Sequence, residues 1–325
     1  MLRFLLLFTL LVPFTVMAET LEFSNGSDQL VGEYLAASSG KQAKGVILFV
    51  HGDGASRYDA DGYFDIIWDQ LRDKGYAVFS WDKPGVGRSS GNWLNQSMQD
   101  RQEEVEAAIK AVQAQYGYSA KNTGLIGFSQ AGWVVPDIAK KNQQIGFLIG
   151  IGFARNWVDQ GRYHSLQKHA SDLLSLQSKE ELVEEYDQSI EFFRSQPSYD
   201  TYLKETDSFP MEKDRYGFVL RNYRADSSQQ LSTIKVPTLL LWGDKDQNVD
   251  ARSEYAWLKQ NPNPYITNHL IVDGTHSLLN HYLFPNRELG LKDWLKMVLY
   301  EEDAFADEFF PTVMGWLDRR GALRE

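Results

Sequence analysis

Short, continuously apolar runs recur along the chain, and each is followed by a longer stretch in which apolar residues return every third or fourth position. The runs Gly45–Val50, Ala77–Trp81, Thr123–Phe128, Phe147–Ile151 and Val236–Trp242 are central strands by this pattern, with His269–Val272 as a later one. Continuous rather than alternating apolarity marks strands that are covered on both faces. Within residues 97–115, Val105, Ala108, Ile109 and Val112 fall at helical spacing, with charges on the other face. The alternation of the two patterns predicts an α/β chain, a mostly parallel central sheet with helices on both faces. Residues 21–38 read as an antiparallel hairpin feeding that sheet, with Asn25-Gly26 at its turn.

The rhythm breaks between residues 154 and 231, where no strand pattern occurs. A capping box, Ser178 with Glu181, precedes Leu182, Val183, Tyr186, Ile190 and Phe193 at helical spacing. This predicts a helical insertion, 154–231, in a core made of residues 19–153 and 232–325. A smaller insertion, rich in aromatics and acids, spans 283–309 before a terminal helix around Thr312–Arg320. At the other end, Arg3 is the only charge in the first eighteen residues, and an apolar run from Phe4 to Val16 leads into Val16-Met17-Ala18. A basic start, a short apolar core and small residues at the end describe a signal peptide over 1–18, cleaved after Ala18. The expected product is exported, periplasmic or secreted, with no stable membrane anchor after cleavage.

Composition narrows the chemistry. With 43% hydrophobic and 24% charged residues over 325, the chain is an ordinary globular one, not a fibrous or disordered one. A net charge of -11 with no basic run argues against a nucleic-acid partner. The absence of Cys removes thiolate catalysis, zinc ribbons, iron-sulfur clusters and disulfides. No Walker loop, His-Glu-x-x-His or calcium-loop pattern occurs, so no metal site is expected. Gly85-x-Gly87 follows a strand but runs into Asn92-Trp93-Leu94 instead of a helix, which is wrong for a dinucleotide loop.

The sharpest local signal is Gly127-Phe128-Ser129-Gln130-Ala131-Gly132, between a strand and a helix holding Val134, Val135 and Ile138. A nucleophile on so tight a turn needs small residues two before and two after it, here Gly127 and Ala131. Ser129 is the candidate nucleophile, and a serine hydroxyl needs a histidine base that is itself held by an acid. Two turns at strand ends offer these: Gly243-Asp244-Lys245-Asp246 and Asp273-Gly274-Thr275-His276. Asp246 is preferred to Asp244, which is placed to shape the turn after Gly243; Asp250 and Asp273 are weaker candidates. His276 is preferred to His281, His269, His164 and His169, because it follows a strand and a glycine turn. Val50-His51-Gly52-Asp53-Gly54 ends the first central strand with the small residues that a hole for an oxyanion requires. The amides of Asp53 and Gln130 are the candidate donors, with Gly54 as an alternative to Asp53 and His51 as a structural hydrogen-bonding residue.

Three such motifs, in this order and on these elements, resemble the α/β-hydrolase superfamily. Trp81-Asp82-Lys83-Pro84-Gly85-Val86-Gly87-Arg88-Ser89-Ser90-Gly91 looks like the turn that superfamily carries after its next strand, so the resemblance covers about residues 28–320. Ala131 departs from it, since the family motif has glycine there. The resemblance implies hydrolysis of a small-molecule acyl substrate through an acyl-enzyme, without metal or organic cofactor, and places the helical insertion as a cap over the site. A carboxylesterase on small or medium acyl esters is the first expectation, an aminopeptidase or acyl-peptide hydrolase the second, and a catalytically silent binding protein the third. Trp157, Tyr163, Phe192 and Phe193 are candidates either for an acyl pocket or for the cap's own core. Glu184 and Glu185 are candidates for holding a peptide's free amine.

Overall fold

A computed structural model describes residues 18–40, 42–141, 144–170, 178–206, 209–286 and 289–322. The expected signal peptide, apart from Ala18, lies outside the described residues. Among those residues no helix is long and apolar enough to cross a membrane.

The apolar runs do form strands. β1 (Glu19–Asn25), β2 (Asp28–Leu35), β3 (Val46–Val50), β4 (Ala77–Trp81), β5 (Thr123–Phe128), β6 (Phe147–Ile151), β7 (Thr238–Gly243) and β8 (Ile266–Ile271) make one sheet in the order β1-β2-β4-β3-β5-β6-β7-β8. The first two pairings are antiparallel and the rest parallel. Every residue of β3 to β7 is buried. Alternate residues serve opposite faces, as the pleat requires: Val46, Leu48 and Val50 join one core, Ile47 and Phe49 the other. β8, at the edge, is only partly covered and stops one residue short of Val272, which is 55% exposed.

The first core packs under α2 (Met98–Tyr116) and α3 (Val135–Lys141), which bring Val105, Ala108, Ile109, Val112 and Ile138. The second packs under α1 (Tyr63–Asp73), through Phe64, Ile67, Trp68 and Leu71, and under a terminal helix, Phe309–Ala322, through Phe309, Val313, Trp316 and Leu317. That last helix begins three residues earlier than its sequence pattern implies, because Phe309 and Phe305 stack to close the core.

Between β6 and β7 stand α4 (Trp157–Ala170), α5 (Lys179–Arg194), α6 (Tyr199–Glu205), α7 (Lys213–Asn222) and α8 (Ser228–Thr233). The capping box starts α5 as its residues dictate: Ser178 Oγ accepts from the Glu181 amide, and Glu181 Oε2 accepts from the Ser178 amide. These helices share an aromatic core of Ile190, Phe193, Tyr202, Tyr216 and Tyr223. Leu231 of α8, by contrast, belongs to the sheet's own core, so the helical stretch is sewn back into the sheet before β7 begins.

The chain reverses its direction of travel at β3. β4 lies on one side of it and β5 on the other, so the connections leaving β3 and β5 diverge and open a crevice at their carboxyl ends, where such sheets bind ligands. At the opposite, amino end of the sheet a glycine makes room for a neighbouring ring: a Cβ on Gly124 would stand 2.0 Å from Cζ of its register partner Phe147. Gly124→Ala is therefore expected to destabilise the fold by about 1–3 kcal/mol, the usual cost of overpacking. Urea unfolding measures it, and an unchanged midpoint would contradict this packing.

Candidate active site

The crevice collects the singled-out residues from four separate loops. Ser129 opens the turn after β5 with φ +50°, a left-handed backbone that a side chain adopts only where packing enforces it. The enforcement is visible around it. A Cβ on Gly127 would lie 3.1 Å from the Ala131 Cβ, and one on Gly52 would lie 3.2 Å from the Ser129 Cβ. Ala131 is fully buried and leaves just enough room opposite Gly127, so the departure from glycine is accommodated.

Asp246 and His276 meet across the loops that follow β7 and β8. The Asp246 side chain has no exposed surface; its Oδ1 accepts from the amides of Asn248 at 2.7 Å and Val249 at 2.9 Å, and its Oδ2 accepts from His276 Nδ1 at 2.7 Å. A carboxylate can only accept, so Nδ1 carries the proton and Nε2 is left with its lone pair. Burial works against a charge on His276, but the charge and hydrogen bond of Asp246 outweigh it and raise the imidazole above its ordinary 6.5. Two tyrosines steady the loops: Tyr63 donates to Ser277 O at 2.7 Å and Tyr163 to Asp246 O at 2.8 Å.

The other acids and histidines have different work. Asp244 accepts from the Asp273 amide and pairs with Lys245, so it braces the turn, and Asp250 caps the helix Ala251–Gln260 through the Ser253 amide. His269 is exposed on β8, and His169 Nδ1 bonds the Ser165 carbonyl. His281 sits beyond the loop, its amide donating to Asp273 O. His51 is buried and donates Nε2–H to Trp81 O at 2.8 Å; burial first, then the Lys83 charge, pushes it down to about 3, so it is neutral.

Two cavities flank Ser129. One, of about 290 Å³, is lined by Ser129 and His276 together with Gly52, Asp53, Tyr63, Phe64, Phe128 and Ile151. The other, of about 270 Å³, is lined by Ser129, Gln130 and Asp53 on the sheet side and by Trp133, Trp157, His164 and Arg215. Of the aromatic candidates, Trp157 lines this second cavity, whereas Phe193, with Phe192 against it, packs in the aromatic core of the inserted helices. Glu184 and Glu185 stand on the exposed side of α5, outside the lining of both cavities. Among the described residues no group of three His, Cys, Asp or Glu side chains could hold a metal ion.

Sequence reasoning missed three cations that organise this crevice. Arg215 of α7 grips Asp53 with both nitrogens, at 2.8 and 2.7 Å, and Gln130 Nε2 donates to the same carboxylate at 3.0 Å. Burial works to raise the Asp53 pKa, but Arg215 and Lys83 prevail and lower it. Arg101 of α2 is buried and donates to His51 O and to Gln130 Oε1, both at 2.7 Å, tying the turn at Ser129 to the loop after β3. Lys83, also buried, reaches under that loop, and burial holds its ammonium well below the ordinary lysine value. Only Lys83 had a signal, as a charge two residues beyond a buried strand. Nothing local links Arg101 or Arg215 to positions 29 to 162 residues away.

A half-buried serine and an imidazole that line one cavity, with a buried carboxylate holding the imidazole's Nδ1–H, are groups that can transfer an acyl group. The profile of the family described as serine aminopeptidase, S33, matches residues 41–281. Solved structures with the same fold include the Pyrococcus furiosus esterase Pf2001, at 16% identity and TM-score 0.60 over 94% of this chain and 91% of that one. The proline iminopeptidase of Mycobacterium smegmatis aligns at 13% identity and TM-score 0.58 over 94% and 100%, and an esterase domain from Rhodothermus marinus at 20% and 0.51 over 87% and 96%. At such identities the likeness shows the fold alone. No curated protein matches the sequence.

The Asp246 bond sets a measurable titration. Following the His276 Cε1–H resonance against pH should give a midpoint above 6.5 in the native protein. In Asp246→Asn the negative charge is gone while the burial stays, so the midpoint should fall below 6.5. Equal midpoints would contradict the pairing.

Proposed function

The chain belongs to the S33 serine aminopeptidase family of α/β-hydrolases, and within it we propose a serine hydrolase that works through an acyl-enzyme, with esters of small or medium acyl groups as substrates. In this reading Ser129 Oγ attacks the carbonyl carbon and gives its proton to His276 Nε2, while Asp246 holds the imidazole's tautomer and stabilises its positive charge. The oxygen that gains negative charge is held by the amides of Asp53 and Gln130. Collapse expels the alcohol, which takes the proton back from His276. Water then enters by the same route, activated by His276, and releases the acid and Ser129. The observation that carries the proposal is His276, held from behind by the buried Asp246, lining the same cavity as a serine in left-handed backbone.

The lining favours an ester over an aminopeptidase substrate. Capturing a free ammonium takes an available carboxylate. The only acid lining the two cavities at Ser129, among the described residues, is Asp53, already held by Arg215 and Gln130. Arg215 further presents positive charge to the second cavity. The family's description keeps the aminopeptidase as the second reading. The proposal includes export of the chain beginning at Glu19, on the pattern of residues 1–18. N-terminal sequencing of the native protein checks that start, and an intact Met1 would contradict it.

A fluorophosphonate probe should label the wild-type protein and not Ser129→Ala, whose kcat should fall by on the order of 10⁶. In a panel of p-nitrophenyl esters and aminoacyl anilides, turnover should be confined to the esters. Anilide turnover would select the aminopeptidase, and a folded protein that takes no label would select a silent binding protein.

A further inference from the structure

Alternate carbonyls of the loop after β3 all accept from one residue. Lys83 Nζ donates to Gly52 O at 2.6 Å and Gly54 O at 2.8 Å, and Lys83 N donates to Ser56 O at 3.1 Å. In a trans peptide the carbonyl and the following N–H point in opposite directions. With the carbonyls of residues 52 and 54 turned to Lys83, the amides of Asp53 and Ala55 are turned away from it. Lys83 is only 2% exposed, so its side of the loop is the interior. The opposite side of Gly52 and Asp53 is the cavity they share with Ser129, and Gly52 itself passes close against Ser129.

We propose that Lys83 is the positioning residue of the oxyanion site: by fixing the Gly52 and Gly54 carbonyls it aims the Asp53 amide at the oxygen that becomes negative on the substrate. This rests on the acyl-transfer mechanism proposed above. Burying an ammonium is costly, and an apolar side chain would fill the space beneath the loop without that cost. What the ammonium receives in return is the two carbonyls and the face of Trp93, whose ring centre is 4.9 Å away. Gly54, at φ +93°, takes the left-handed backbone that brings these carbonyls round to one donor. The neighbouring charges are Arg101 and Arg215, which repel the ammonium, and Asp53 and Glu104, which attract it. Arg101 holds the preceding carbonyl, of His51, so the two cations grip successive peptides of one loop. An amide aimed in this way matters only when charge develops, and its loss falls on the transition state instead of on substrate binding.

Lys83→Met tests this, because it keeps the stem and removes the donor. The expected result is a kcat lower by about 10²–10³ with KM nearly unchanged, as for loss of one oxyanion donor. Affinity for a trifluoromethyl ketone, which forms a tetrahedral oxyanion on the serine, should weaken by a similar factor. Ser129 should still take the fluorophosphonate, more slowly, and the acid limb of the pH profile should not move. Lys83→Arg, which restores a charged donor, should recover part of the rate. A folded Lys83→Met with wild-type kcat and ketone affinity would overturn the proposal, as would a loss carried wholly by KM. Should circular dichroism show Lys83→Met unfolded, Lys83→Gln is read by the same measures. A wild-type protein that takes no fluorophosphonate overturns the mechanism itself, an outcome distinct from failure of Lys83 alone.

Discussion

A carboxylate without exposed surface is tolerable only if its lone pairs are answered, and Asp246 meets that condition through two amides and one imidazole. The rest of the site depends on this. The amides of Asn248 and Val249 set the carboxylate's direction, the carboxylate sets the imidazole's tautomer, and the tautomer leaves Nε2 with its lone pair, as the proposed base must have it. Tyr63 of α1 and Tyr163 of α4 each tie one of the two loops by a carbonyl. The sheet contributes by placing β7 and β8 side by side, so that residues 30 apart in sequence meet at 2.7 Å.

On the other side of the crevice the same problem, polar groups at the rim of an apolar sheet, is solved with cations. Arg101 and Lys83 approach from the interior and hold carbonyls, and Arg215 approaches from the inserted helices and holds Asp53. Arg215 and Asp53 are 33% and 41% exposed, and a pair so wet is worth at most about 1 kcal/mol. The seat of the inserted helices over the site therefore rests more on apolar contact: Trp157 stacks on Trp133 at 4.8 Å, and Phe218, fully buried, packs edge-on against Trp93 at 5.4 Å. The ion pair supplies direction to Asp53, while the tryptophans supply adhesion.

Much of this was legible in the sequence for a simple reason. Strands buried on both faces have to be continuously apolar, and a strand-to-helix turn whose first residue is held in left-handed backbone has to be small on either side, so β3 to β7 and the turn at Ser129 are written locally. The helix α1 carries equally good spacing in Phe64, Ile67, Trp68 and Leu71, but lies between two motif-bearing turns that draw the reading to themselves. β8 is less legible, because an edge strand need be apolar on one face only, and Val272 belongs by type but not by position. The ion pair of Asp53 with Arg215 and the reach of Arg101 to His51 are not written locally at all. They follow from the folding of helices over a crevice, and side-chain types 50 or 162 residues apart carry no mark of it.

In the proposed mechanism Ser129 carries the acyl group between two half-reactions. Mixing the protein with a p-nitrophenyl ester, quenching in acid within the first turnovers and measuring the mass of the peptide that holds Ser129 tests it directly. The expected result is a mass increase equal to the acyl group on Ser129, rising with the first burst of p-nitrophenol and decaying as substrate is exhausted. Turnover of the ester with no acyl mass on that peptide, or with the mass on another residue, would contradict it.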